Sequence, residues 1–295
     1  MKYALYLGCT APVRAINYEL AARKTAERFG IELVDLDHFS CCGFPVKSVK
    51  QETALLMAAR NLALAEEKGL NVCALCNSCS STLLEANKRL QEDEELRAGI
   101  NEKLLASTGK RYEGTIKVRH FARVLYEEVG VAKIREKVTV DLSALNLAAH
   151  YGCHYLKPSS LNDSSDDPEH PTSLDELIEA TGARSVFYED RNQCCGGGIL
   201  GIEEQTALAL PKRKLDHVKA SGAEALVVIC PFCDIMYELN QRRIEKLYQT
   251  EYRLPILYYP QRLGLALGFP PNEMGLELNR VRPRAGSRLA ELLGR

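Results

Sequence analysis

Short apolar runs alternate along this chain with longer stretches whose apolar residues recur at helical spacing. The runs YALYL, IELVDL and NVCAL in the first half, and LNLAAHY, ARSVFY and ALVVI in the second, have the length and near-continuous apolar character of parallel strands buried on both faces. Between them lie amphipathic stretches, Val13 to Arg28, Val49 to Lys68, Glu203 to Ala220 and Asp234 to Tyr248, which predict helices. A long polar helical stretch, Ser81 to Leu105, extends the first half only. This alternation predicts an α/β fold built on open parallel sheets. The expected division is into units 1–140 and 141–295, joined through the charged, weakly periodic segment near Lys137 to Ser143.

The cysteines repeat with the strands. There are eleven, and Cys9, Cys41, Cys42, Cys76 and Cys79 recur as Cys153, Cys194, Cys195, Cys230 and Cys233 at offsets of 144, 153, 153, 154 and 154. Their neighbours repeat too: Leu-Gly-Cys answers Tyr-Gly-Cys, Cys-Cys-Gly recurs unchanged, and Cys-Asn-Ser-Cys answers Cys-Pro-Phe-Cys. Even the tails correspond, Arg123 in HFARVL with Arg262 in YPQRLG. The early change in offset has a source in Pro158 to Pro171, whose Ser, Asp, Asn and Pro content is that of a surface loop. Each strand run ends at or within a few residues of a cysteine, so five thiols per unit are expected in the crevice beyond the strand ends. Cys73 stands outside the repeat, where the second unit has Val227, and reads as a buried strand residue.

Three chemistries use cysteine in quantity. Disulfides are disfavoured in a chain whose amino terminus reads as a strand with no basic signal region, and adjacent cysteines bridge poorly. Structural zinc takes four tetrahedral ligands, commonly two CxxC pairs, whereas each unit offers one CxxC, one vicinal pair and one solitary thiol. An ordinary cubane cluster also takes four thiolates, usually with three in a tight run that is missing here. Five thiolates per site suit a larger or irregular iron–sulfur assembly, because adjacent side chains can reach neighbouring irons more easily than one ion.

These spacings, with Gly after each vicinal pair, resemble the duplicated CCG module found in the B subunit of heterodisulfide reductase, over nearly the whole chain. The resemblance implies two Rossmann-like CCG modules in a pseudo-two-fold arrangement. Each would hold a noncubane [4Fe-4S] cluster through its five cysteines. The pair would cleave a mixed disulfide of the coenzyme M and coenzyme B type, with electrons from a ferredoxin-like C subunit fed by a flavoprotein A subunit. Cleavage takes two electrons, which iron–sulfur clusters pass singly, and each thiolate product needs a proton. His154, beside Cys153, is the candidate donor, with His150 next in order. The wider CCG group offers an alternative, an electron-transfer or thiol- or sulfur-oxidising subunit of another redox complex.

The remaining features narrow the partners. The chain has no CxxCxxCxxxCP run and no GxGxxG after a strand, so electrons must come from another polypeptide. Gly196, Gly197 and Gly198 could cradle phosphate before a helix, yet they follow Cys194-Cys195 directly, and close backbone approach to a cluster suits them and Gly43 better. Arg280, Arg282, Arg284 and Arg288 form a basic tail expected to be solvated or to dock another polypeptide of the complex. With 38 Lys+Arg against 39 Asp+Glu, long-range attraction to nucleic acid is absent. No apolar run is long enough to span a membrane, and a cytoplasmic location is expected.

Overall fold

The structure, a computed structural model, describes residues 1–161 and 166–293. In the first module β1 (Lys2–Tyr6), β2 (Glu32–Val34), β3 (Asn71–Ala74) and β4 (Val118–His120) form one parallel sheet in the order β2-β1-β3-β4. Its helices are α1 (Ile16–Arg28), α2 (Gln51–Glu66), α3 (Asn77–Glu92) and α4 (Glu94–Thr108). The second module repeats the sheet with β5 (Asn146–His150), β6 (Arg184–Ser185), β7 (Ala225–Val228) and β8 (Ile256–Tyr258) in the order β6-β5-β7-β8. Its main helices are α5 (Ser173–Glu179), α6 (Glu204–Ala220), α7 (Gln241–Tyr248) and α8 (Tyr259–Ala266). The central strands are buried along almost their whole length, as parallel strands covered on both faces must be. The alanine-rich stretch in α2 combines high helix propensity with close packing, Ala58, Ala59, Ala63 and Ala65 being fully buried.

Several expected elements change on folding. The helix expected from Val13 begins as a turn at Ala11–Arg14 and is broken at Ala15 before α1 starts. The stretch Ser81 to Leu105 is two helices. Asp93 is extended, and its carboxylate accepts from Leu96 N at 2.9 Å, capping a helix whose first turn carries Glu94 and Glu95. The stretch from Asp234 is likewise interrupted by a π-helical turn, Ile235–Leu239, where Asn240 donates to the Ile235 carbonyl at 2.9 Å before α7 begins. Strands β4 and β8, only three residues each, have no counterpart among the expected runs. They place His120 and Tyr258 at equivalent strand ends, so Gln261 takes the position of Arg123 and the sequence match of Arg123 with Arg262 is one residue out of register. Of the insertion Pro158 to Pro171, residues 162–165 lie outside the described residues; the rest is loop apart from one 3-10 turn at Ser159–Leu161.

The two modules meet through side chains at the carboxyl ends of the strands. Tyr18 on α1 stacks on Tyr258, with ring centroids 4.2 Å apart, and donates its hydroxyl to Ile229 O at 3.2 Å. His120 accepts from Ala122 N at Nδ1, which leaves the proton on Nε2 to bond the same Ile229 carbonyl at 3.1 Å. Arg123 donates to Tyr155 O at 2.9 Å, lies over the Tyr155 ring and pairs with Glu127. Burial pushes His120 down to about 4, so it serves here as a neutral donor.

The four arginines of the tail are exposed, as expected, but the chain carrying them is anchored. Asn279 accepts from Asn17 of α1 at 3.1 Å and from Gln261 at 2.9 Å, and donates to Ile256 O at 2.7 Å. It therefore ties α1, α8 and β8 together in a buried network. Replacing Asn279 with Leu strands several of these groups, and each buried unpaired group costs about 1–3 kcal/mol. The expected result is a lower urea midpoint at unchanged slope; an unmoved midpoint refutes the role given to this network.

Candidate functional site

In each sheet the chain leaves its first strand toward one edge and its third toward the other, so the crevice between their carboxyl ends is open. The register pairs Tyr6 with Ala74 and His150 with Val228 at those ends. Cys9 and Cys76 therefore follow adjacent strand ends in the first module, and Cys153 and Cys230 in the second, while each vicinal pair enters on the loop beyond the second strand.

The ten repeated thiols form one series. Cys9 interacts with Cys41, Cys41 with Cys42, Cys42 with Cys79, and Cys79 with Cys76. Cys76 then meets Cys230 across the module boundary, with sulfurs 3.9 Å apart. From Cys230 the contacts continue to Cys233, Cys195, Cys194 and Cys153. The order is the same read from either end, which expresses the approximate two-fold relation of the modules. Among the described residues no three His, Cys, Asp or Glu side chains gather as a site for a single metal ion. Cys73 is outside the series, buried in β3 with its thiol pushed up by burial.

Neighbouring thiols pull each other's acidity apart. The hydrogen bond from Cys79 brings Cys42 down to about 7; Cys233 and Cys76 hold Cys230 well below the ordinary thiol; Cys153 and Cys195 lower Cys194. Their partners Cys76, Cys79 and Cys153 are raised correspondingly. Backbone amides assist, with Gly196 N 3.3 Å from Cys194 Sγ and Gly197 N 3.5 Å from Cys195 Sγ. Every third thiol along the series, Cys42, Cys230 and Cys194, is lowered and so disposed toward the deprotonated form that a ligand sulfur takes.

The glycines divide by role. Gly43 (φ 93°) and Gly196 (φ 82°) are left-handed, and a Cβ on either would meet helix backbone, 2.7 Å from Ala54 O or 2.4 Å from Ala207 O. Their missing side chains thus make room for α2 and α6, while the Gly196 amide faces the Cys194 sulfur. A Cβ on Gly197 would lie 3.4 Å from Cys195 Sγ, in keeping with close approach. Two further glycines of the same kind escape sequence reasoning. A Cβ on Gly8 would lie 2.7 Å from Cys79 Sγ, and one on Gly152 would lie 2.5 Å from Asn77 Nδ2 and 3.3 Å from Cys233 Sγ. Their signal is the Gly-Cys dipeptide shared by both modules.

A small cavity of about 60 Å³ lies against the second cage, lined by Phe44, Asn77 and Ser78 of the first module and by His154, Gly198 and Phe232 of the second, with all the second module's cysteines. His154 is half-buried, edge-on to Phe44 at 4.9 Å between centroids, and its Nδ1 has no hydrogen-bond partner among the described residues. His150 is elsewhere, fully buried behind the cage with Nε2 3.2 Å from Cys233 Sγ. Asn77 reaches across the boundary to Tyr151 O at 2.7 Å, holding the turn before Cys153 in place.

Comparison with known proteins follows the same outline. The cysteine-rich domain family CCG matches residues 3–84 and 147–238, one range in each module. The chain is 39% identical over 284 residues to the B subunit of the ferredoxin:CoB-CoM heterodisulfide reductase of Methanosarcina mazei, covering 95% of this chain and 94% of that protein. It is 37% identical to a protein of Archaeoglobus profundus described as like the B subunit of heterodisulfide reductase, covering 93% of each. It is also 33% identical to the 8-methylmenaquinol:fumarate reductase membrane anchor subunit of Wolinella succinogenes, covering 94% of this chain and 96% of that one. A crystal structure of a hypothetical protein from Helicobacter pylori has the same fold, with a TM-score of 0.78 at 17% identity; the alignment spans 96% of this chain and about half, 52%, of that one. With both CCG ranges present and this similarity running through almost its whole length, the chain belongs to the duplicated CCG cysteine-rich family that contains the B subunit of heterodisulfide reductase.

Proposed function

We propose that this chain is the catalytic iron–sulfur subunit of a heterodisulfide reductase complex, an oxidoreductase that reductively cleaves a mixed disulfide of the coenzyme M/coenzyme B type to two thiols. The reading places module 1 at 1–140 and module 2 at 141–295. Cys9, Cys41, Cys42, Cys76 and Cys79 would hold one noncubane [4Fe-4S] cluster and Cys153, Cys194, Cys195, Cys230 and Cys233 a second. The observation that carries it is the unbroken series of ten thiols, closing at Cys76 and Cys230, beside a cavity walled by Phe44 and Phe232. When bound, such clusters supply electrons one at a time and iron sites for sulfur.

The chain's own residues do the rest. Phe44 and Phe232 keep water from the reacting sulfurs, and His154 is placed to hand a proton from its ring to a departing thiolate. Gly8, Gly152 and Gly197 let the cages close without a side chain in the way, and the Gly196 and Gly197 amides donate to bound sulfur. Electrons come from a ferredoxin-like C subunit supplied by a flavoprotein A subunit, since the chain carries neither motif itself. Among the described residues no helix is long and apolar enough to cross a membrane, and a cytoplasmic location suits such a complex. The second reading, a subunit that only relays electrons or oxidises thiols or sulfur in another complex, draws on the fumarate reductase name of the Wolinella relative. A pure relay has no use for the cavity.

Anaerobically purified protein is expected to hold about eight iron and about eight acid-labile sulfide per chain, from two four-iron clusters. Cys230→Ser should lose about half of both; a single zinc per module overturns the reading. Adding a small thiol to the oxidised protein should change its EPR or visible spectrum, and an unchanged spectrum favours the relay. His154→Gln should slow disulfide reduction by reduced viologen by about 10²-fold or more while leaving iron content intact. A wild-type rate in that variant returns His154 to a packing role against Phe44.

A further inference from the structure

Behind each cage sits a buried polar pair at equivalent positions, and the two pairs differ in chemistry. Tyr6 lies three residues before Cys9 as His150 does before Cys153, and Asn61 lies nineteen after Cys42 as Lys214 does after Cys195. In the first module both members are neutral. Tyr6 gives its hydroxyl to Ser40 O at 2.5 Å, and Asn61 accepts from Ser40 N at 2.9 Å while donating to Cys41 O and Met57 O.

The second module has a cation and an imidazole instead. Lys214, 1% exposed, sits 2.9 Å from Gln193 O, 3.2 Å from Arg191 O and 3.2 Å from His150 Nδ1. Three acceptors match the three N–H bonds of an ammonium group. Because Nδ1 accepts, the imidazole proton is on Nε2, where it points at Cys233 Sγ 3.2 Å away. Burial lowers Lys214 to about 8, and the three acceptors around its nitrogen are the set that a charged ammonium satisfies.

We propose that Lys214 and His150 make the second module the electron sink of the pair, through an N–H···S bond to Cys233 backed by a buried positive charge that the first module lacks. This deepens the proposed function and rests on its reading that each cage holds an iron–sulfur cluster. An added electron makes a thiolate-ligated centre more negative; a donated hydrogen bond to its sulfur and a nearby cation both stabilise that state, and outer-shell hydrogen bonds are an established lever on potential. A single electron arriving from a one-electron iron–sulfur donor therefore settles on the second module, on the side where the cavity and His154 lie. Lys214 and His150 are positioning residues, acting through Cys233.

The test copies the first module into the second, His150→Tyr with Lys214→Asn, in the full chain, followed by anaerobic redox titration read by EPR and visible spectra. The wild type is expected to show two waves, and the variant should move only the higher one. At a fixed potential the ratio of reduced to oxidised centre should fall about tenfold or more, which is about 59 mV for one electron. Lys214→Arg, which keeps the charge, should shift the wave less than Lys214→Gln. If the double variant loses iron, His150→Leu removes the N–H···S bond while leaving Lys214 in place, and carries the same expectation. A higher wave that stays in place at full iron content, or movement of the lower wave, overturns this inference and leaves the cluster reading standing. A wild type that binds no iron overturns the cluster reading itself.

Discussion

The arrangement depends on bringing ten sulfurs from distant parts of the chain into one contact series, and on the 3.9 Å meeting of Cys76 and Cys230 at its centre. Buried thiols this close repel once ionised, and their acidities are driven apart because neighbours share protons. Such a cluster of sulfur is unfavourable without cations to hold, and several features of the fold maintain it. Parallel sheets set the sulfurs at strand ends, left-handed glycines admit the neighbouring helices, and amides point at Cys194 and Cys195.

The module boundary belongs to the same design. Tyr18 and His120 of the first module both bond the Ile229 carbonyl, the residue before Cys230, and Asn77, the residue after Cys76, bonds the Tyr151 carbonyl near Cys153. One module thus positions the strand ends that carry the other's ligands. The two modules repeat one plan but are unequal: Thr10, Phe44 and Ser78 stand where the second module has His154, Gly197 and Phe232. Among the described residues the cavity is lined by the second cage's thiols and none of the first's, and a fully buried cation, Lys214, lies behind the second cage where the first has neutral Asn61.

The ligand set and the repeated sheet are legible in the sequence because both leave local marks, cysteine spacing and apolar runs ending beside it. What is not legible is tertiary. Strands β4 and β8 are three residues long and merge with the helical turns that follow, so no period distinguishes them. The break at Asp93 does carry a local signal, an Asp followed by two glutamates, outweighed by the helical pattern on either side. In sequence His150 reads only as a second proton donor; its bond to Cys233 depends on a lysine 64 residues away. Gly8 and Gly152 are needed for contacts with Cys79, Cys233 and Asn77, which no spacing rule connects to them.

The central claim concerns where metal resides, and iron-edge anomalous diffraction from anaerobically grown crystals tests it most directly. The account predicts two separate multi-iron centres on either side of the Cys76–Cys230 contact, each ringed by the five thiolates of one module. A single ion in either cage, or iron bound away from these ten sulfurs, would contradict it.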